Sequence, residues 1–344
     1  MALEADPAAG LIEYLRTELR EPALAFSERP SLVTGGFDTR IFAFRLTGAP
    51  PACSGPLILR LLAPHDDPAR VRRERVTQNA LVDLGYPAPR VLWANTDAAR
   101  LGGAFLVMER LPGKPLLDAR FLDISAALVE MQARLHDLDA EALLRALDRD
   151  GPPLGREVMS FEGHLVRLEA RIARGGLAGL REAMRWLVEH RPPEPGRRVV
   201  CHGDFHPQNI LALGRAVTGV IDWPNALVAD PACDVASTLT ILRFTPTELL
   251  AVPAALRWVI RIARRVLVMR YLAGYRRRRR LDPPVLSYYE AASCMRGLVR
   301  VSEARQGRGV VAVNPLDASS FGERLAAHFA HVTGISPTLP PARP

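Results

Sequence analysis

The chain contains 344 residues, of which 48% are hydrophobic, and it carries a formal net charge of +8 at pH 7. This length exceeds what one hydrophobic core usually needs, and it predicts two lobes. The four cysteines show neither C-x-x-C pairing nor a matching histidine spacing, which argues against a disulfide scaffold and a zinc site. The sequence predicts no signal peptide and no transmembrane segment, so a reduced, cytoplasmic setting is expected.

Residues 1–110 have the pattern of a small, strand-rich lobe at the N-terminus. Short apolar runs alternate here with Gly, Pro and Asp, which bound helices and strands. The predicted elements are a helix at 11–19, a strand-turn-strand unit at 31–46, a strand at 57–62, a helix from 67 to about 85, and strands at 91–94 and 104–109.

Two features of this lobe carry chemistry. Gly35 and Gly36 form the predicted turn, where glycine lets backbone amides approach a ligand closely. Arg60 is a lone charge inside an apolar strand, and Glu74 lies on the helix that follows. Glu74 is expected either to pair with Arg60 or to form a solvated salt bridge with arginines of its own helix.

Residues 111–333 are predicted to form a mainly helical second lobe, because apolar residues recur there at spacings of three and four. The expected helices span 124–138, 158–172, 180–188, 235–242, 246–275, 284–301 and 321–332. The last residues, 334–344, are rich in proline and predict a loose tail.

The stretch 199–234 contains the groups that phosphoryl transfer requires. A short apolar run leads into a turn-rich loop with Asp204 and Asn209, and a predicted hairpin at 210–221 ends at Asp222. Phosphoryl transfer needs a carboxylate that orients the attacking hydroxyl, and hard oxygen ligands that hold magnesium on the phosphates. These three side chains can supply both. Asp and Asn are also common turn residues, and the spacing of the motifs argues against that simpler interpretation.

The motif H-G-D-x-x-x-x-N, followed thirteen residues after the Asn by I-D-W, resembles the aminoglycoside phosphotransferase family, which is choline kinase-like. The resemblance runs from about residue 30 to residue 245. It implies an α+β, protein kinase-like fold with two lobes and magnesium-dependent use of ATP or GTP. It further implies that Asp204 is the catalytic base and that Asn209 and Asp222 bind the metal.

The resemblance also assigns residues to the nucleotide. Gly35 and Gly36 match the loop that covers the phosphates. F-L-V-M-E-R-L-P-G matches the segment between the lobes, so backbone groups around Glu109 to Leu111 are expected to bind the base. Related kinases usually have a Lys where Arg60 stands, and Lys114 is the only Lys of this chain. A guanidinium also binds phosphate oxygens, but it is not equivalent to an ammonium.

Other polar residues of the central stretch have structural interpretations. His202 is expected to brace the loop, and His206 to contact either substrate or a nearby backbone group. Asp230 is expected to cap a helix that begins at Pro231. Asp234 matches the buried Asp that holds the catalytic loop in the family.

The segment 257–308 contains fourteen Arg against three acidic residues, a surplus of eleven positive charges. Aminoglycosides are polycations, so this charge predicts a neutral or anionic hydroxyl acceptor instead. The run 276–280 is compatible with RNA or an anionic membrane, but it lacks interleaved aromatics. A solvated helix end is therefore the favoured interpretation, and no nucleic-acid partner is expected.

Two functions agree with these features: a small-molecule kinase, and a kinase-like nucleotide-binding protein with little turnover. The intact Asp204, Asn209 and Asp222 favour the enzyme, whereas Arg60 keeps the second hypothesis open. A protein kinase is disfavoured because only seven residues separate Asp222 from Asp230, which leaves no room for a long activation segment.

Overall fold

The computed structural model describes most of the chain. The described residues are 6–33, 39–63, 67–118, 121–151, 155–194, 196–246, 257–307 and 320–341. They form an α+β, protein kinase-like fold in which a small lobe with an antiparallel sheet is followed by a mainly helical lobe. This confirms the predicted fold class. The division at residue 110 stays a prediction.

The small lobe is built on a five-stranded antiparallel sheet with the order β1-β2-β3-β5-β4. Its elements are α1 (Ala8–Leu19), β1 (Ala25–Leu32), β2 (Thr39–Thr47), β3 (Leu57–Leu62), α2 (Ala69–Asp83), β4 (Val91–Asn95) and β5 (Phe105–Glu109). Gly35 and Gly36, the predicted phosphate-covering turn, lie outside the described residues.

The two faces of this sheet pack against different helices. Leu57, Leu59 and Leu61 of β3 lie in the cluster that α1 covers, whereas Leu62 lies in the cluster of α2. Successive side chains of a strand point to opposite faces. Arg60 therefore faces α2, which carries Glu74.

The larger lobe contains the remaining elements. They are β6 (Lys114–Pro115), α3 (Phe121–Asp137), α4 (Ala140–Asp150), α5 (Phe161–Gly175), α6 (Arg181–Glu189), β7 (Val199–Cys201), β8 (Ile210–Leu213), β9 (Ala216–Val220), β10 (Leu227–Ala229), α7 (Pro231–Phe244), α8 (Arg257–Arg278), α9 (Pro283–Arg305) and α10 (Phe321–Thr333). The sequence did not predict α4, β6 or β10. The predicted helix 246–275 is described only from residue 257 onward.

Two short sheets position the stretch 199–234 within this lobe. β7 pairs with β10, and β6 pairs with β8, which forms a hairpin with β9. β7, β8, β9 and β10 pack on the apolar core of the larger lobe, which also includes α3, α7 and α9, whereas β6 is exposed. The loop after β7 is therefore held by fully buried strands at its start and by a hairpin at its end.

An acidic residue at the end of α4 connects the two lobes. Asp150 Oδ2 lies 2.9 Å from Arg72 Nη2, and Asp150 Oδ1 lies 2.7 Å from Arg75 Nη2. Arg72 also donates to the Asp150 backbone oxygen at 2.7 Å. Both arginines belong to α2, so these contacts fasten the helix of the small lobe to the larger lobe.

Residues 334–341 pack onto the larger lobe, in contrast to the loose tail that the sequence predicts. The Thr338 amide donates to the Gly179 oxygen at 3.0 Å, and Arg305 Nη1 donates to the Pro340 oxygen at 3.0 Å. Ile335 and Leu339 contact the core. Proline content alone does not show looseness, because proline carbonyls still accept hydrogen bonds from a neighbouring surface.

The arginine run lies at the C-terminal end of α8. Arg276, Arg277 and Arg278 are its last-turn residues, where positive charge is favourable beside the helix dipole. Arg279 pairs with Asp137 at 2.6 Å. Among the described helices, α8 included, we find none that combines the length and apolarity needed to cross a membrane.

Candidate active site

The loop after β7 begins with a glycine that its surroundings require. Gly203 has a φ of +74°, in the left-handed region that favours glycine. A Cβ at this position would lie 2.3 Å from the Asn225 backbone oxygen. This close approach brings the loop against the segment before β10.

His202 braces the loop, as predicted. Its Nε2 donates to the Ile221 oxygen at 3.0 Å, and its Nδ1 accepts from the Asp204 amide at 3.2 Å. The ring is fully buried, and this burial lowers its pKa. A neutral His202 with its proton on Nε2 thus connects the loop after β7 to the residue before Asp222.

Asp234 holds the same loop from α7, as predicted. Its Oδ1 accepts from the Gly203 amide at 2.7 Å, and its Oδ2 accepts from Gln132 Nε2 at 2.9 Å and from His136 Nε2 at 3.1 Å. Burial would raise the pKa of Asp234, but the hydrogen bonds and charges of its partners outweigh it and lower the pKa. Asp230 caps the same helix through a 2.7 Å bond from the Ala232 amide, also as predicted.

Asp204 lies between two positively charged or chargeable side chains. His206 Nε2 is 3.8 Å from Asp204 Oδ2, and Arg296 Nη2 is 3.7 Å from Asp204 Oδ1. Burial alone would raise the pKa of Asp204, but the hydrogen bond and charge of His206, and the charge of Arg296, hold it well below its usual range. Asp204 is therefore ionised at neutral pH.

His206 satisfies a nearby backbone group, one of the two predicted roles. Its Nδ1 accepts from the Gln208 amide at 3.3 Å, which satisfies a backbone group at the start of a short 3₁₀ turn. Its other ring nitrogen faces Asp204. A direct role toward substrate stays a prediction.

Asn209 and Asp222 lie at the two ends of the hairpin β8–β9. Asn209 is buried, and its Nδ2 donates to the Asp204 backbone oxygen at 3.0 Å. The Ile221 amide donates to the Asn209 backbone oxygen at 2.9 Å, which places Asp222 beside this loop. Asp222 has a φ of +71°, an unusual conformation outside glycine that Asp and Asn tolerate best.

Arg60 joins the small lobe to this site. Its Nη1 is 2.9 Å from Glu74 Oε2, and its Nη2 is 2.9 Å from Asp222 Oδ1. Its Nε donates to Thr39 Oγ1 at 3.1 Å. Arg70 contacts the second oxygen of Glu74 at 3.0 Å. Glu74 pairs with Arg60 as predicted, and because its side chain is buried, the alternative of a solvated salt bridge is wrong.

Two backbone amides of the segment between the lobes donate hydrogen bonds to other parts of the chain. The Glu109 amide donates to the Arg90 oxygen at 3.0 Å, and the Arg110 amide donates to the Pro56 oxygen at 2.9 Å. Leu111 packs against Gly219 of β9. The backbone groups of Glu109 and Leu111 are still predicted to bind a nucleotide base.

The sequence did not single out several residues that meet at this site. Arg296 of α9 donates to the Gly203 oxygen and, at 2.9 Å, to Ser237 Oγ. Gln132 and His136 of α3 complete the contacts of Asp234. The sequence shows an excess of arginine after residue 257, but its pattern does not indicate which arginine contacts the loop after β7.

The sequence profile of the phosphotransferase enzyme family (APH) matches residues 31–281, which is more than half of the chain. The chain belongs to this family. This match includes the braced loop, the hairpin and the strand with Arg60. Membership supports a kinase-type phosphotransferase that acts on a small molecule.

Curated relatives of two kinds share parts of the sequence. Aminoglycoside 3'-phosphotransferase of Streptomyces fradiae is 29% identical over 221 residues, which cover 58% of this chain and 75% of that protein. Acyl-CoA dehydrogenase family member 11 of Gallus gallus is 28% identical over 190 residues, which cover 52% of this chain. The match spans about a quarter of the length of that second relative (24%).

Solved structures share the fold. The ternary complex of aminoglycoside phosphotransferase APH(4)-Ia with AMP-PNP and hygromycin B has a TM-score of 0.58 at 16% identity, covering 95% of this chain and 96% of that chain. Aminoglycoside-3'-phosphotransferase of type VIII has a TM-score of 0.54 at 23% identity, covering 83% of this chain and 97% of that chain. At these identities the likeness shows the fold alone.

Proposed function

We propose that this chain is a magnesium-dependent kinase that transfers the γ-phosphoryl group of ATP or GTP to a hydroxyl group of a small molecule. The observation that carries the proposal is the ion pair between Arg60 of the small lobe and Asp222, beside the loop with Asp204 and Asn209. It joins the residues expected to bind the donor to those expected to bind the metal and the acceptor.

The oxygen atoms of Asn209 and Asp222 fit a magnesium site. Magnesium prefers hard oxygen ligands and is usually held by one or two protein side chains together with phosphate oxygens. When bound, it would neutralise charge on the transferring phosphoryl group. The side chain of Asp222 is 38% exposed, so its carboxylate is partly accessible to solvent.

The environment of Asp204 supports a role in orienting the acceptor hydroxyl. Its low pKa keeps the carboxylate charged, so it accepts a hydrogen bond readily and is a weak base in the ground state. Loose transition states of phosphoryl transfer demand little proton removal before the phosphorus–oxygen bond forms. Asp204 thus positions the hydroxyl and takes its proton late in the reaction.

Arg60 is proposed to replace the usual Lys. It makes the pair with the helix carboxylate Glu74 that a Lys would make, and it extends a second nitrogen toward Asp222. These contacts weaken the alternative of a nucleotide-binding protein with little turnover. That alternative predicts nucleotide binding without transfer.

The acceptor is proposed to be neutral or anionic. The related APH(4)-Ia structure contains hygromycin B, whereas in this chain Arg296 lies 3.7 Å from Asp204 and offsets the negative charge that would attract a polycation. The surplus of eleven positive charges at 257–308 would repel a polycation at separations within about 8 Å at physiological salt.

A cytoplasmic setting and the lack of a nucleic-acid partner stay proposals from composition. The four cysteines, all within the described residues, are free thiols. Burial raises the pKa of Cys201, Cys233 and Cys294 and makes these thiols unreactive.

The test is an ADP-release assay across hydroxy acids, sugars, choline-like amines, macrolides and aminoglycosides. Asp204→Asn should lower turnover of the best acceptor by about a hundredfold to ten-thousandfold and leave nucleotide affinity unchanged. Asp97→Asn, at an exposed position, is the matched control. Near wild-type turnover in Asp204→Asn would refute the role of Asp204, and nucleotide binding without any transfer would favour the alternative.

A further inference from the structure

Helix α8 carries large apolar side chains on the protein surface. Among the described residues, nine large apolar side chains are exposed, and four of them lie on this helix: Trp258, Val259, Ile262 and Met269. The exposed fractions of Trp258 and Met269 are 56% and 62%. Apolar side chains that are exposed singly are common, whereas a group of them on one element marks an interaction surface.

These four side chains form one stripe along the helix, which we call the α8 stripe. Ile262 follows Trp258 by four residues and Met269 follows Ile262 by seven, so the three lie on the same side at intervals of one and two turns. Val259 precedes Ile262 by three residues and borders the same side. The stripe therefore extends over about three turns of helix.

The opposite side of α8 fixes the helix to the core of the larger lobe. Leu267, Tyr271 and Tyr275 recur every four residues and are buried, where α8 packs on α3 and α7. The Tyr271 hydroxyl donates to Gln132 Oε1, and the Tyr275 hydroxyl lies 2.6 Å from His136 Nδ1. The helix thus has two apolar sides, and among the described residues only the buried side has a partner.

Arginines border the α8 stripe on both edges. Their helical spacing places Arg261 and Arg265 along one edge and Arg270 and Arg277 along the other, and all four are exposed. The sequence contains no acidic residue from 257 to 281. Within the part of the chain that the structure describes, no acidic side chain pairs with these four arginines. An anionic surface would be complementary to this charge.

We infer that the α8 stripe binds the surface of an anionic lipid bilayer. Helices that lie in a membrane surface combine an apolar side that contains Trp with arginines that contact anionic headgroups. The stems of the bordering arginines can lie along the apolar boundary while their guanidinium groups stay among the headgroups. The helix lies on the bilayer and does not cross it. This inference does not depend on the proposed kinase function.

Other partners satisfy only part of this surface. Two copies of the chain that met symmetrically through α8 would place the same arginines against one another, and like charges would repel. A nucleic acid would neutralise the arginines and leave Ile262 and Met269 in water. A partner helix is usually bound in a groove, whereas the α8 stripe belongs to a single exposed helix. An anionic bilayer satisfies both the charges and the apolar side chains.

The first experiment measures binding of the full chain to lipid vesicles by sedimentation. One set of vesicles contains phosphatidylcholine alone, and the other contains phosphatidylcholine and phosphatidylserine in equal amounts. The mixed vesicles should bind the protein about a hundredfold more tightly, because each arginine near an anionic surface strengthens binding about fivefold. Added salt should weaken this binding. No binding to the mixed vesicles, or equal binding to both sets, overturns the inference.

The second experiment tests the stripe and its border. Ile262→Gln and Met269→Gln should each weaken binding to the mixed vesicles about tenfold, because each removes a large apolar side chain from the lipid boundary. Arg265→Gln should weaken it about fivefold. Val188→Gln and Arg185→Gln, at exposed positions of α6, are the matched controls and should bind like the wild type. Wild-type affinity in both Ile262→Gln and Met269→Gln overturns the inference.

Trp258 reports contact with lipid directly. Vesicles whose acyl chains carry bromine quench the fluorescence of a tryptophan that enters the lipid boundary. The mixed vesicles should quench the wild type, and Trp258→Phe, which keeps an aromatic ring in the stripe, should lose most of this quenching. Trp223 is buried, so it is shielded from the lipid. Quenching that persists undiminished in Trp258→Phe overturns the inference.

Two measurements without lipid identify the competing partners. A dimer in sedimentation equilibrium that Ile262→Gln converts to a monomer, in a protein that binds no vesicles, assigns the stripe to a second copy. Binding of polyuridylic acid that Arg265→Gln weakens and Ile262→Gln does not, again without vesicle binding, assigns the arginines to nucleic acid. Either result overturns the inference.

Discussion

Arg60 Nη2 lies 2.9 Å from Asp222 Oδ1, while Nη1 of the same guanidinium lies 2.9 Å from Glu74 Oε2. One side chain thus connects strand β3, helix α2 and the residue that follows β9. The fork of an arginine makes this possible, because its nitrogens point in fixed and different directions. A lysine would offer a single compact charge at the same place.

The bridging role of Arg60 predicts a graded response to substitution. Arg60→Ala should lower kcat/KM about tenfold to a hundredfold, because it removes charged hydrogen bonds and leaves the buried Glu74 with one partner fewer. Arg60→Lys should retain most of the activity. Steady-state kinetics measure both, with Arg70→Ala as the control, since Arg70 contacts Glu74 but not the strand. Equal activity of wild type, Arg60→Ala and Arg60→Lys would show that Arg60 has no part in transfer.

Asp222 should make nucleotide binding depend on magnesium. In Asp222→Asn, ATP affinity should become the same with magnesium and with EDTA, because one anionic ligand is lost. The fold should persist, since Asn tolerates the φ of +71° nearly as well as Asp. Titration calorimetry in both conditions checks the effect. A wild-type protein that binds ATP equally in EDTA would refute the metal role.

Gly203 should be sensitive to even one added methyl group. Gly203→Ala is expected to cost more stability than Gly214→Ala, although both glycines have positive φ, at +74° and +63°. A Cβ at Gly214 meets nothing within 4 Å, whereas at Gly203 it meets the Asn225 oxygen at 2.3 Å. Placing alanine at a positive φ costs about 1 kcal/mol in either variant. Any larger loss of unfolding free energy in Gly203→Ala measures the clash with Asn225. Thermal unfolding of the two variants makes the comparison, and equal losses would contradict it.

His164 should contribute to the pH dependence of stability. Burial, and then the charges of Arg296 and Arg167, lower its pKa from 6.5 to about 3 in the folded protein. As pH falls below 6.5, the unfolded chain binds a proton that the folded protein does not bind. The free energy of unfolding therefore decreases toward acid, by up to about 1.4 kcal/mol per pH unit for one proton.

His164→Gln should flatten this slope between pH 6.5 and the lowest pH at which the protein stays folded. Denaturant unfolding at a series of pH values measures it. His331→Gln, at an exposed position on α10, is the control. An unchanged slope in His164→Gln would mean that other groups dominate the acid sensitivity.

The sequence predicted the parts of this fold that local chemistry determines. Strand β3 was predicted with its observed bounds, because apolar residues on both sides of Arg60 fit a strand covered on both faces. The spacing singled out Asp204, Asn209 and Asp222, which the structure places around one loop and hairpin, and their roles stay predictions. Arg296 was not assigned to the site, because it lies 93 residues after Gly203 and only the packing of α9 brings it to the loop.

Short elements escaped prediction for a related reason. β6 contains two residues and β10 three, and each is a strand through its pairing with β8 or β7 rather than through its own pattern. The tail was misjudged because its proline content is local, whereas its hydrogen bonds to Gly179 and Arg305 depend on the finished surface.

The contacts of Asp150 with Arg72 and Arg75 restrict how the cleft can open. Widening it about the segment at residues 109–111 would pull α2 away from α4, and both ion pairs would have to break first. Arg72 and Arg75 are about one-third exposed, at 34% and 38%, so dissolved ions screen their attraction to Asp150. Release of a bound nucleotide is therefore expected to become faster as ionic strength rises. The ion pairs of Asp150 would slow the separation of the lobes at low salt and do so less at high salt.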